Sequence, residues 1–395
     1  LLLFFSGYPY ALLIFKPIQE VFFVKMAVIF SLFLFFILYL SCNQIPTDPT
    51  DVTQNIDSDT KMEVLSRSTF IKHYGYSGNE YSVSVVKTHD GGYALSGKND
   101  IDFYLVKTDR NGNLIWEKTF GNANTNENFS SVCQSDDGGY LLAGTDNNNW
   151  SVEVIKVDKN GTVQWQNNYE PLKSYSLVRI VPSHDDGYVG IAGNTVFKLG
   201  ASGNLMWGRQ YDSCAYFYSI ERTADKGFIV AGASLIKITS QGEIQWEKKP
   251  DPLTHETYNH ALQTRDGGYL VAGYKIIRYD EDAMEDVMEI VLLKTDSKGK
   301  YKWRKGYFPT YNYNFQYRIR ETSDRQIAIV GFHDFKCTLI KVSPSGTFKW
   351  QKELSWNIFD GEFYDLVTTS DGGIVVTGTG NNQAALVKFD RYGNL

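Results

Sequence analysis

The chain of 395 residues holds 26 Tyr and 24 Phe against 5 Met, a balance that favours β structure in one large domain or two. Its formal net charge of -6 comes with no basic block, which argues against nucleic acid as a partner. Four Cys, at positions 42, 133, 214 and 337, form no CxxC and no adjacent pair, so neither a zinc site nor a disulfide framework is expected.

Residues 1–41 differ from everything after them. The stretch "MAVIFSLFLFFILYLSC", Met26 to Cys42, is an apolar run that ends in a small residue and then Cys, followed by polar sequence studded with Pro, Thr and Asp. It resembles a bacterial lipoprotein signal peptide, and the resemblance implies that Cys42 takes lipid and becomes the new N-terminus. Tyr39 departs from the Leu usual three residues before that Cys. An uncleaved membrane helix is the alternative, against which the run is shorter than the ~20 residues a span needs. Residues 1–25 read either as an upstream extension, with Met26 the start, or as the source of a positive n-region through Lys16 and Lys25. Residues 42–68 then form the lipidated Cys and a tether too poor in apolar residues to pack.

From residue 69 to 395 the chain repeats a unit of about 40 to 50 residues. The copies "THDGGYALSG", "SDDGGYLLAG", "TRDGGYLVAG" and "TSDGGIVVTG" share one turn and strand. Seven Lys, at 107, 156, 198, 237, 294, 341 and 388, each stand five residues before a Gly, and four residues beyond the first six of those Gly comes a Trp: 116, 165, 207, 246, 303 and 350. In the first unit, Tyr81–Thr88, Tyr93–Gly97, Phe103–Thr108 and Leu114–Phe120 read as four short strands joined by Asp-, Asn- and Gly-rich turns. Four-stranded antiparallel units repeated seven times around an axis predict an all-β, seven-bladed β-propeller. An open solenoid is the alternative, and it would expose its end strands.

The seventh unit stops at Leu395, before its Trp-bearing strand, while "TFIKHYG" at 69–75 aligns with "WEKTFG" at 116–121, Phe70 standing for Trp. The expected closure is therefore an N-terminal strand that completes the last blade and leaves no open edge. On these motifs, residues 69–395 resemble repeat-built β-propeller lipoproteins of bacteria. The segment "VKTDRNGNLIW" is also similar, more weakly, to the Trp-docking repeats of quinoprotein-like propellers. Both resemblances imply the fold and leave the chemistry open.

Residues present in every unit are expected to build blades. The six Trp and Phe70 read as inter-blade packing, as do the aromatics before strand one at Tyr81, Phe129, Tyr175, Phe217, Tyr258 and Phe363. Each Lys lies within reach of an Asp in the first hairpin turn: Asp90, Asp137, Asp185 or Asp186, Asp225, Asp266, Asp324 and Asp371. "DRNGN" at 109–113 resembles a calcium loop only superficially and reads as a turn. The acidic insertion "YDEDAMEDVME", Tyr279 to Glu289, reads as a solvated loop, with a cation or basic-partner site as the alternative.

Function is then sought in what the repeat does not require, on the face carrying the loops between strands two and three and between blades. Trp150, Phe308, Tyr311, Trp356 and Phe359 are the candidate ligand-binding residues there, suited to sugars or an extended peptide. The six His form no HxH or HExxH pattern and no GxSxG occurs. The expectation is a monomeric, lipid-anchored binding module for glycan or protein in the cell envelope, with no cofactor and no metal. A propeller hydrolase or lyase acting on carbohydrate through carboxylates from several blades is the alternative.

Overall fold

The computed structural model describes residues 69–75, 80–99, 102–121, 127–146, 148–174, 177–212, 216–250, 256–280, 285–310, 317–333, 336–354 and 361–395. Their strands form seven four-stranded antiparallel sheets. In blade one the order is Glu80–Lys87, Tyr93–Asn99, Asp102–Thr108 and Leu114–Phe120, within two residues of the sequence-based reading at every boundary. The first strand of each sheet is innermost, where Glu80–Lys87 touches its counterparts Glu127–Gln134 and Phe363–Thr368 in the flanking blades.

Blade seven takes three strands from the end of the chain and its fourth, Phe70–Tyr74, from the beginning. Phe70 pairs with Lys388 as Trp116 pairs with Lys107. The register confirms closure by the N-terminal strand, which becomes the outer strand of blade seven and gives it the same four strands as the other six. Tyr74 adds to it by donating its hydroxyl to Gly112 O of blade one at 2.7 Å.

One contact joins every blade to the next. A Trp on the outer strand lies over the turn Gly of the following blade: a Cβ on Gly299 would sit 3.0 Å from Trp246, and one on Gly393 2.7 Å from Trp350. Phe70 covers Gly112 in the same way. These Gly also hold positive φ, +75° at Gly299, so the turn needs glycine twice over, for its backbone and for the ring above it. Edge-on contacts to the aromatic of the next blade's second strand complete the joint: Trp116 to Tyr140 at 6.0 Å, Trp246 to Tyr269 at 5.3 Å and Phe70 to Tyr93 at 6.5 Å. Phe217, Tyr258 and Phe363 are buried between blades as expected. In blade one Ser82, rather than Tyr81, stands opposite the strand-two Gly as Phe217 does.

All seven Lys form an ion pair with the turn Asp of their own blade, and Asp185 is the partner in blade three. The ammonium is buried in every blade and the carboxylate about half exposed in six, with Asp371 more covered. Lys237, 1 % exposed, gives its Nζ to Asp225 at 2.9 Å, Ile238 O at 3.0 Å and Gln245 Oε1 at 2.8 Å. Burial pushes the Asp90 and Asp137 carboxyls up, but the Lys, a Ser or Thr hydroxyl and a backbone N–H outweigh it and bring both to about 2.

This asymmetry predicts unequal mutants. Asp225→Ala strands a buried charge and should cost about 2 to 3 kcal/mol, below the full value for a buried pair because two other acceptors remain. Lys237→Met leaves a carboxylate that is 47 % exposed, and should cost less than half as much. Equal losses in denaturant titrations would refute the reading. Folded-state Asp values lie below the ordinary carboxyl value, so their contribution is fully present above about pH 4 and is lost as pH falls toward 2. Asp225→Ala should accordingly flatten the acid limb of the stability profile.

In "DRNGN" the Asp109 carboxylate accepts the N–H groups of Asn111 and Asn113, both at 2.8 Å, the work of a turn. The acidic insertion prolongs a hairpin of blade five, Tyr269–Asp280 with Glu285–Thr295. Within it Glu289 pairs with Lys275 at 2.8 Å and Asp280 with Arg278 at 3.0 Å.

Candidate functional site

Because strand residues alternate between faces and successive blades share one register, one position of each inner strand recurs around the axis. It lies three residues before the strand's end. In blades one, two, four and seven it holds Ser84, Ser131, Ser219 and Asp365; in blades three, five and six it holds Arg179, His260 and Arg318. These seven side chains line one axial cavity of about 290 Å³. Lys87, His89 and Pro182 also line it, so it reaches toward the face that carries the first hairpin turns.

The four small acceptors have a structural task. Ser84 Oγ accepts the N–H of Val132 at 3.4 Å, Ser131 Oγ that of Ile180 at 3.3 Å, and Ser219 Oγ that of Ala261 at 3.1 Å. Asp365 Oδ2 accepts the N–H of Val85 at 3.2 Å and the Ser84 hydroxyl at 3.3 Å. Each ties its inner strand to the next blade's, where otherwise the backbone donors would face the channel unpaired.

Arginine has no acceptor to offer and cannot take that part. Arg318, 2 % exposed, donates Nη1 to Asn259 O at 2.9 Å, while its Nη2 is buried without a hydrogen-bond partner among the described residues. Arg179 Nε is in the same condition. Burial and the neighbouring Arg179 charge bring Arg318 down to about 9.

The neighbouring register adds Glu221 and Arg320 to the cavity wall, joined at 2.9 Å. Burial pushes Glu221 up, but Arg320, His260 and Arg318 together hold it at about 2. His260, which lies 3.3 Å from Glu221 and 2.9 Å from Arg320 Nη1, is driven down to about 4 by burial against the pull of Glu221. At neutral pH it is therefore uncharged, and it accepts from the guanidinium. The guanidinium groups of Arg179, Arg318 and Arg320, with exposed Arg222 also on the wall, thus face the carboxylates of Glu221 and Asp365, both already engaged. The centre of the ring is cationic.

Two of the sequence-predicted site residues fall within the described part. Trp150 is on the loop between strands two and three of blade two, 39 % exposed, with positive φ and its backbone bonded to Asp146 and Ser174. Phe308 belongs to the outer strand of blade five, Tyr301–Thr310, and packs on Phe348 of blade six at 5.5 Å. The structure places the two on different blades and brings neither to the axial cavity. Tyr311, Trp356, Phe359 and Cys42 lie outside the described residues. Cys133 and Cys337 are buried in strands, where burial pushes the Cys133 thiol up to about 12.

The axial charges escaped the sequence reading because it discounted strand positions and looked to loops. Their signal is present once the seven inner strands are aligned at their ends: the column reads Ser, Ser, Arg, Ser, His, Arg, Asp.

No family model matches the sequence, and no curated protein matches it. Among solved structures, a streptogramin B lyase is 15% identical with a TM-score of 0.57, over 81% of this chain and 97% of its own. A catalytically inactive virginiamycin B lyase from Staphylococcus aureus, in a structure with quinupristin, is 13% identical with a TM-score of 0.56, over 81% of this chain and 99% of its own. At such identities the likeness concerns the fold alone: this chain is a seven-bladed β-propeller.

Proposed function

We propose that the protein is a monomeric, non-catalytic binding propeller of the cell envelope, held to a membrane by lipid on Cys42, that takes part of a glycan or protein ligand into its axial cavity. The observation that carries this reading is the exchange of strand-tying acceptors for Arg179, His260 and Arg318 in three of seven equivalent positions. Burying guanidinium donors without partners is unfavourable for folding, and a residue set that works against stability is one kept for what it binds.

The competing reading is a propeller enzyme. It draws on the contact between Glu221 and His260 in a cavity and on the lyases that share the fold. Proton transfer at neutral pH favours groups that titrate near 7. Glu221 at about 2 and His260 at about 4 are both held well below that, which weighs toward binding.

Glycan and peptide arrays probed with the full chain in detergent should yield a ligand whose binding falls at least tenfold in Arg179→Ser with Arg318→Ser. A ligand kept by that variant but lost in Trp150→Ala would move the site to the opposite face. Turnover of the ligand, abolished by Glu221→Gln, would make the protein an enzyme.

A further inference from the structure

We propose that the axial cavity is an oxyanion site, in which Arg179 and Arg318 receive a single carboxylate or phosphate group of the ligand. This rests on the reading of the cavity as a binding site and names the chemistry it selects.

The argument is one of unspent donors. Glu221 is satisfied by Arg320, and Asp365 by the N–H groups of Val85 and Leu366 and the Ser84 hydroxyl. Neither internal carboxylate makes a hydrogen bond to Arg179 Nε or Arg318 Nη2, which are the buried donors left over. The two Arg come from blades three and six, on different sides of the same small cavity, and their like charges repel. An anion between them would relieve that repulsion and accept from both planes, the arrangement in which guanidinium groups hold carboxylate and phosphate best. Neutral His260, with Nδ1 also buried and unpartnered, offers a further polar contact without adding charge. A cavity of about 290 Å³ has room for one such group and the residue bearing it, and not for a long stretch of polymer.

Serine at position 179 or 318 is what the repeat itself uses elsewhere, as at Ser219, so Arg179→Ser and Arg318→Ser remove the charge while retaining a side chain the ring accommodates. Isothermal titration of the full chain in detergent, in phosphate-free buffer, would compare acetate, inorganic phosphate and D-glucuronate, with D-glucose as the uncharged control. At least one oxyanion should bind saturably, D-glucose should not, and each Ser variant should weaken binding at least tenfold, with Arg318→Lys intermediate. Preference for phosphate would point to a phosphorylated ligand, and preference for glucuronate over acetate to an acidic sugar. The proposal falls if no oxyanion binds, or if both Ser variants bind oxyanion as the parent does. Should Arg318→Ser fail to fold, Arg179→Ser decides alone. An array ligand that depends on the cavity yet binds equally after its acid group is amidated would overturn the oxyanion assignment and leave the binding propeller standing, whereas an oxyanion bound in the cavity with no array ligand dependent on it would do the reverse.

Discussion

Deleting residues 69–75 should lower stability by on the order of 5 kcal/mol or more, because it removes a buried tyrosine, an aromatic joint and a whole strand pairing together. The strand Phe70–Tyr74 pairs along its full length with Gln383–Phe389, and Phe70 and Tyr74 both reach blade one. Without it the last blade would present Gln383–Phe389 as an open edge, and Gly112 would lose its cover. The deletion variant should aggregate or melt far below the parent in a thermal scan, and an unchanged melting temperature would refute closure through this strand. A milder test is Phe70→Trp, which restores the residue found at the other six joints. It should be tolerated.

The second large effect is expected at a joint between blades. Trp246→Ala should cost about 3 kcal/mol, the lower part of the range for large aromatics because the ring is partly exposed at the rim. Gly299→Ala should cost about 2 kcal/mol, from the left-handed backbone and from the indole 3.0 Å away. The two losses should not add. Once the indole is gone the methyl has room, and the backbone penalty alone remains, so the double variant should be more stable than the sum of the singles by about 1 kcal/mol. Strict additivity in a double-mutant cycle would mean that the ring and the turn are not in contact.

The fold was legible because its physics is repeated. Lys107, Gly112 and Trp116 keep fixed intervals in six units, and the seventh unit lacks only its last strand, which Phe70 supplies. The Lys–Asp pairs were legible for the same reason, since parallel first and third strands must bring both hairpin turns to one face. The axial site obeys the opposite logic. Arg179, His260 and Arg318 are departures from a repeat, visible only after the repeat is aligned at the strand ends rather than at its turns. Nothing in any single unit marks "VRIVP" as a channel wall, and the serine ties that Arg179, His260 and Arg318 replace are made to backbone amides of the next blade, 42 to 49 residues away. Phe308, expected on a loop, sits on a strand and packs on Phe348, because the outer strand of blade five is longer than those of its neighbours.

The serine ties of the inner ring bear on how such a protein changes its specificity. Each is worth a single hydrogen bond, about 1 kcal/mol, in a ring whose blades are held elsewhere by aromatic joints and buried ion pairs. One blade can therefore exchange its Ser for Arg, His or Asp by point mutation, and the other six keep the channel wall in register. Seven such positions, each open to several side chains, make the axis a combinatorial lock whose code can be rewritten one wheel at a time, with no loop rebuilt and no blade lost.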